Sequence, residues 1–172
     1  MASKMDKYIF LVDDEPLQNE MLKNYISERF EYTIKSYTNG EDAIRDLSLV
    51  PDVVVLDYHL NSNINDAKNG VDILKDLKRL APDTHVIMLT GQDDLAVAVD
   101  IMKYGAFDYV IKSETAFSRT ENILNNIIIL RNLKASNKAY KNITRMLVAA
   151  IVGICIFSVY LVRKLDVSLP RP

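Results

Sequence analysis

From Tyr8 onward the chain alternates short apolar runs with amphipathic stretches. Tyr8-Ile9-Phe10-Leu11-Val12 is rich in residues that favour extended backbone and is ended by Asp13-Asp14. Leu17, Met21, Leu22, Tyr25 and Ile26 then recur at helical spacing. Tyr32 to Tyr37 alternates and stops at Asn39-Gly40, a turn signal, and Ala43, Ile44 and Leu47 predict a second helix. After Pro51-Asp52 comes Val53-Val54-Val55-Leu56, the most β-branched run in the chain, followed directly by Asp57. A polar, turn-rich stretch from Asn61 to Asn69 leads to a helix through Val71, Ile73, Leu74, Leu77 and Leu80, closed by Ala81-Pro82. Val86 to Leu89 predicts a fourth strand, followed by Thr90-Gly91, and Leu95 to Met102 a helix stopped near Gly105. Tyr109-Val110-Ile111 predicts a fifth strand with Lys112 at its end. A long helical pattern then begins near Ala116 and carries Ile123, Leu124, Ile127, Ile128 and Leu130.

Strands alternating with helices pair in parallel through right-handed crossovers. Strands buried on both faces read as continuous apolar runs, as the first, third and fourth do here. The expectation is an α/β fold with an open, doubly wound, five-stranded parallel sheet. Ligands of such sheets sit beyond the carboxyl ends of the strands, where strand order reverses.

The strand ends carry the candidate chemistry. Asp13 and Asp14 follow the first strand, Asp57 the third, Thr90 the fourth and Lys112 the fifth. Three clustered carboxylates repel one another and call for a cation. Mg2+ suits them, because it takes oxygen ligands and often bridges to phosphate. A carboxylate can also act as nucleophile and form an aspartyl-phosphate. A metal, a lysine and a hydroxyl around the transferring phosphoryl group would stabilise its charge. Taken singly, an acidic pair after a strand is more often a helix cap, and a lone Asp a turn residue. Their conjunction in this chain order is what points to a site.

Four segments carry a family resemblance: Phe10-Leu11-Val12-Asp13-Asp14-Glu15-Pro16, Val54-Val55-Leu56-Asp57, Leu89-Thr90-Gly91 and Gly105-Ala106-Phe107-Asp108-Tyr109-Val110-Ile111-Lys112. Together they resemble the response-regulator receiver domain of two-component signalling. The resemblance implies a flavodoxin-like sheet of order 2-1-3-4-5 over residues 7–131. It implies that Asp57 is the phosphoacceptor and that Asp13, Asp14, Asp57 and the backbone carbonyl of His59 hold Mg2+. It further implies that Thr90 and Lys112 contact the phosphoryl group and that Tyr109 is the aromatic switch residue. The implied phosphodonor is a histidine kinase or a phosphotransfer protein, and dimerisation is compatible with the family. The chain departs from the pattern in three places. Ser113 replaces the usual proline after the lysine, Gly91 stands where alanine is commoner, and the polar stretch before Gly70 is longer than usual.

The C-terminal quarter changes the picture. Met146 to Val162 reads MLVAAIVGICIFSVYLV without a charge, about 17 residues and at the lower end of what spans a bilayer as a helix. Arg145 precedes it and Arg163-Lys164 follow, and no polar face recurs at helical period. The expected organisation is a basic polar linker over 132–145, a transmembrane helix over 146–162 and a short tail over 163–172. In the linker, Lys134, Lys138, Lys141 and Arg145 recur at helical spacing and could attract anionic lipid. The expected location is the cell membrane, single-pass, with the receiver in the cytoplasm. A buried oligomerisation helix in a soluble cytoplasmic protein is the alternative.

Charge and composition exclude little else. The net charge of −2 over 172 residues gives no global pull toward nucleic acid. The single cysteine, Cys155, leaves no internal disulfide framework, and no secretory signal is expected, because Tyr8 to Val12 is too short for an apolar signal core. A haloacid-dehalogenase-type enzyme also uses a strand-end Asp nucleophile but needs a second Asp two residues on, where this chain has His59. The expectation is therefore a switch and not an enzyme. No DNA-binding or cyclase segment is recognisable, so the output is expected to be a protein–protein interaction.

Overall fold

The computed structural model describes residues 7–60, 68–91 and 95–168. The elements in order are β1 (Tyr8–Val12), α1 (Pro16–Ser27), β2 (Thr33–Tyr37), α2 (Gly40–Arg45), a 3-10 turn (Asp46–Leu49), β3 (Val53–Asp57), α3 (Gly70–Leu80), β4 (His85–Thr90), α4 (Leu95–Lys103), β5 (Asp108–Ile111) and α5 (Ala116–Ser168). The strands form one parallel sheet of order β2-β1-β3-β4-β5. This is the doubly wound, flavodoxin-like arrangement that the alternation predicts.

Side-chain alternation along the strands divides the core into two layers. Ile9, Leu11, Val53, Val55, Ile87 and Leu89 meet Leu22 and Ile26 of α1 and Ile123, Leu124 and Ile127 of α5. On the other layer Phe10, Val12, Val54, Leu56, Val86 and Met88 meet Ala43 of α2, Ile73, Leu74 and Leu77 of α3, and Ile101 of α4. Every residue of β3 is buried, which is why that strand reads as an unbroken apolar run. Burying each large side chain contributes about 1.5–3 kcal/mol. The edge strand β2 exposes Thr33 and Ser36, polar positions that blunt an open edge.

Two local details refine the sequence reading. Asn39 is the N-cap of α2, its Oδ1 accepting from the Asp42 N–H at 2.8 Å. Asn69 caps α3 in the same way at 3.0 Å. Most of the unusually long polar stretch, residues 61–67, lies outside the described residues.

The chain divides into two compact units, Met1–Ile127 and Ile128–Pro172. Helix α5 runs through the boundary, so the basic stretch of 132–145 is helical and continues as helix through 146–162. No Gly or Pro occurs between Ala116 and Val152 to stop it. From Asn132 onward every described side chain is exposed. By length and composition this helix could cross a membrane.

Candidate functional site

Strand register brings the predicted residues to one edge of the sheet. Val12 lies opposite Leu56, Asp57 opposite Leu89 and Thr90 opposite Ile111, so the strands end in line. Asp13, the residue after β1, therefore stands beside Asp57 at the end of β3. Lys112 continues the ladder past β5, its N–H donating to the Thr90 carbonyl at 2.7 Å. Carboxylate oxygens of Asp13, Asp14 and Asp57 lie within 4.8 Å of one another.

The Lys112 ammonium bridges the acidic cluster. Its Nζ donates to Asp13 Oδ2 at 2.9 Å and stands 3.0 Å from Asp57 Oδ1. The second contact is an ion pair without hydrogen-bond alignment, so Asp57 Oδ1 is buried with no hydrogen-bond partner. Asp13 and Asp57 are only 3% and 2% exposed, and Thr90 is equally buried. Burial pushes the Asp57 carboxyl above its ordinary value, and the Asp13 charge adds to this. The Lys112 ammonium and the His59 backbone N–H oppose the rise without overcoming it. Burial pulls the Lys112 ammonium down, but its two carboxylate partners outweigh that and leave it raised. The pair thus rises together, because the one lysine serves two carboxylates in a dry site.

This donor set fits a hard divalent cation. Three oxygen ligands converge, and one buried oxygen is left without a hydrogen bond, an arrangement that water-retaining Mg2+ accommodates. Two like charges about 4 Å apart repel by about 4 kcal/mol at the effective dielectric of a protein surface. A cation would remove that repulsion.

Two residues that the sequence pattern does not single out build the frame. Asn19, a buried polar residue in α1, donates through Nδ2 to the Asp13 carbonyl at 2.8 Å and the Tyr37 carbonyl at 3.0 Å. It fixes the turn that presents Asp13, whose Oδ1 accepts from the Glu15 N–H at 2.9 Å. Gly70 begins α3 so close to the end of β3 that a Cβ there would overlap the Asp57 carbonyl oxygen. Tyr109 is half-buried and packs with the layer formed by α2, α3 and α4. Ser113 follows Lys112 through a trans peptide, and its carbonyl accepts from the Ala116 N–H at the start of α5.

The fold and this acidic, lysine-bridged edge define a doubly wound domain suited to phosphate and cation chemistry. The chain belongs to the response regulator receiver domain family, whose model it matches over residues 9–123. It is similar to the chemotaxis protein CheY of Thermotoga maritima, 28% identical over 109 residues that cover 63% of this chain and 87% of CheY. It is also similar to the transcriptional regulatory protein CssR of Bacillus subtilis, 32% identical over 108 residues that cover 63% of this chain but 45% of CssR. The chain thus spans less than half the length of that regulator. Among solved structures, a response regulator receiver domain protein from Clostridium thermocellum is 28% identical with a TM-score of 0.64, covering 74% of this chain and 98% of that one. The BeF3-activated DrrB receiver domain is 28% identical with a TM-score of 0.58, covering 70% of this chain and 98% of that one. Receiver domains are signalling switches of two-component systems. They accept a phosphoryl group on an aspartate, bind Mg2+ at the acidic pocket, and interact with histidine kinases or phosphotransfer proteins.

Proposed function

We propose that Asp57 is the phosphoacceptor of a membrane-tethered receiver that switches protein–protein interactions. The observation that carries the reading is the Lys112 ammonium held between Asp13 and Asp57 at 2.9 and 3.0 Å. In the transfer, one Asp57 carboxylate oxygen attacks the phosphorus of a phosphohistidine on a kinase or phosphotransfer protein. A P–O bond forms, the P–N bond breaks, and the imidazole nitrogen leaves with the electron pair. Asp13, Asp14, Asp57 and the His59 backbone carbonyl would hold Mg2+, which supplies charge stabilisation to the phosphoryl oxygens. Lys112 pairs with Asp57 before transfer and with a phosphoryl oxygen afterward. The Thr90 hydroxyl donates to another phosphoryl oxygen, and Tyr109 carries the change toward the α4 side of the sheet. The stretch 146–162 crosses the bilayer and keeps the receiver on the cytoplasmic side, beside the kinase.

The test is labelling of the full chain with a small phosphodonor and Mg2+. The expected product carries one hydroxylamine-sensitive phosphoryl group, and Asp57→Asn abolishes it without unfolding the domain. Labelling of the Asn variant at the rate of the unaltered chain would remove Asp57 from the role.

A further inference from the structure

The basic part of α5 is not uniformly polar. Between Arg131 and Arg145 its large apolar side chains are Leu133, Tyr140 and Ile143. With Ile129 before them, Ser136 between and Leu147 after, they follow an unbroken alternation of four- and three-residue steps, which continues through the apolar stretch to Leu161. From Ile129 to Leu147 the five steps cover 18 residues, so the stripe stays on one face of a straight helix, and the same alternation is the seam spacing of two helices packed side by side. Among the described residues nothing covers this stripe. Ile129, Leu133, Tyr140, Ile143 and Leu147 are 56%, 57%, 72%, 56% and 59% exposed.

Charge placement indicates what covers it. No acidic residue occurs between Ile129 and Leu147, while Arg131, Lys134, Lys138, Lys141 and Arg145 do. Two such helices would repel if these charges flanked the stripe. They do not: by spacing, every lysine and arginine of this stretch takes an outer position of the heptad, b or f. The flanking e and g positions hold Leu130, Asn132, Asn137, Ala139, Thr144 and Met146, all uncharged. An acidic partner would be drawn to the outer face and would leave the stripe bare. Lipid can cover the stretch beyond Arg145, but a helix that runs unbroken from the basic stretch into that one cannot also lie flat on the same bilayer, so the stripe before Arg145 stays out of the lipid. An identical helix fits both facts, because it brings an apolar stripe and no charge to the seam.

We propose that α5 from Ile129 onward is a parallel self-association helix whose occupant is a second copy of this chain. In the parallel arrangement each layer pairs a residue with its own counterpart, and the seam is roughly 50 Å long at 1.5 Å per residue. The association does not depend on phosphorylation, since no residue of the seam belongs to the acidic edge. It holds two receivers together before any signal arrives, which raises the local concentration of one for the other.

The test uses the full chain in isolated membranes, with Cys155→Ala removing the native thiol. Single cysteines are introduced as Leu133→Cys, Tyr140→Cys and Ile143→Cys on the stripe, and as Lys134→Cys and Lys141→Cys beside it. A short bis-maleimide reagent then reads same-position proximity. The expected result is covalent dimer formed several-fold faster at 133, 140 and 143 than at 134 and 141, unchanged by Asp57→Asn. In the Leu133→Cys chain, Ile143→Glu should lower the yield several-fold while Lys141→Glu leaves it in place. Retained amide protection of β3 in each variant confirms that the receiver is folded. Equal yields at all five positions, no dimer at any, or dimer only after phosphorylation would each overturn the proposal.

Discussion

Helix α5 contains the same kinds of side chain in two opposite settings. Ile123, Leu124 and Ile127 are buried against the sheet, whereas Ile151, Ile154 and Phe157 are 60%, 65% and 60% exposed. Their residue types do not separate the two groups; their neighbours in sequence do. Around the first group the apolar residues keep to one face, and Glu121, Asn125 and Asn126 take the other. From Met146 to Val162 the helix is apolar all round. A helix of that composition needs cover on every side, from protein or from hydrocarbon. The first unit thus carries its own core and the acidic edge, and the second carries apolar surface that no described residue covers.

The largest effect follows from removing the second unit. The full chain should sediment with membranes and resist extraction by salt or carbonate. A chain ending near Lys134 should be soluble and still accept phosphate. Fractionation and phosphoryl labelling check both halves, and a full chain found wholly in the soluble fraction would break the membrane side of the contrast. Next in size is a matched pair of truncations within one helix. Leu124→Ala should cost about 2–5 kcal/mol of receiver stability, the usual range for a buried leucine. Ile154→Ala should leave the receiver unchanged. Amide exchange of β3 in the full chain compares them, and equal losses would mean that the receiver core extends into the second unit.

A smaller contrast involves two asparagines. Asn19 satisfies two backbone carbonyls from a buried position, so Asn19→Ala should cost about 1–3 kcal/mol by leaving them without that donor. Asn137 is exposed in the second unit, and Asn137→Ala should stay within about 0.5 kcal/mol. Denaturant midpoints and β3 amide exchange measure the pair.

How much of this was legible in the sequence depended on whether the cue was local. Asp57, Thr90 and Lys112 each close an apolar run, and Asp13-Asp14 stops one. Their strand ends could therefore be read directly, and the doubly wound topology brings such ends together. Asn19 was hidden because a polar residue in an amphipathic helix normally faces water. Only the closeness of β1 and β2 gives it two carbonyls to bind. The reason for a glycine at Gly70 is the backbone of Asp57, distant from it in sequence, which no local pattern reveals. Val50 has φ 53°, a left-handed conformation that β-branched residues resist, and it closes the 3-10 turn with no local cue. The basic stretch reads as a polar linker whose Lys134, Lys138, Lys141 and Arg145 recur at helical spacing, and it is helical because its Lys, Arg and Ala favour helix and no Gly or Pro interrupts it.

The smallest effect is a pH dependence, and it belongs to the first unit alone. The Asp57 carboxyl is raised by burial and by the Asp13 charge. A carboxyl whose folded value lies above its unfolded value, about 3.9, binds its proton more tightly in the folded state. Folding is therefore unpenalised by this group below the unfolded value. Stability is lost as pH rises toward the folded value, and the loss is complete above it. Asp57→Asn removes that titration and leaves Lys112 its bond to Asp13. Without Mg2+, the Asn variant should match the unaltered receiver in acid and exceed it at neutral pH. Lys112 titrates in a separate, alkaline window. Its value is raised overall, its carboxylate partners outweighing burial, so its contribution holds below about 10.4 and fades as pH climbs through the folded value. Added Mg2+ should reverse the neutral-pH order, since a cation binds the ionised cluster and stabilises the folded state that holds it. Urea midpoints of the soluble receiver across pH, with and without Mg2+, decide the matter. An Asn variant less stable than the unaltered receiver at neutral pH without Mg2+ would show that the Lys112–Asp57 ion pair outweighs the burial of its carboxylate.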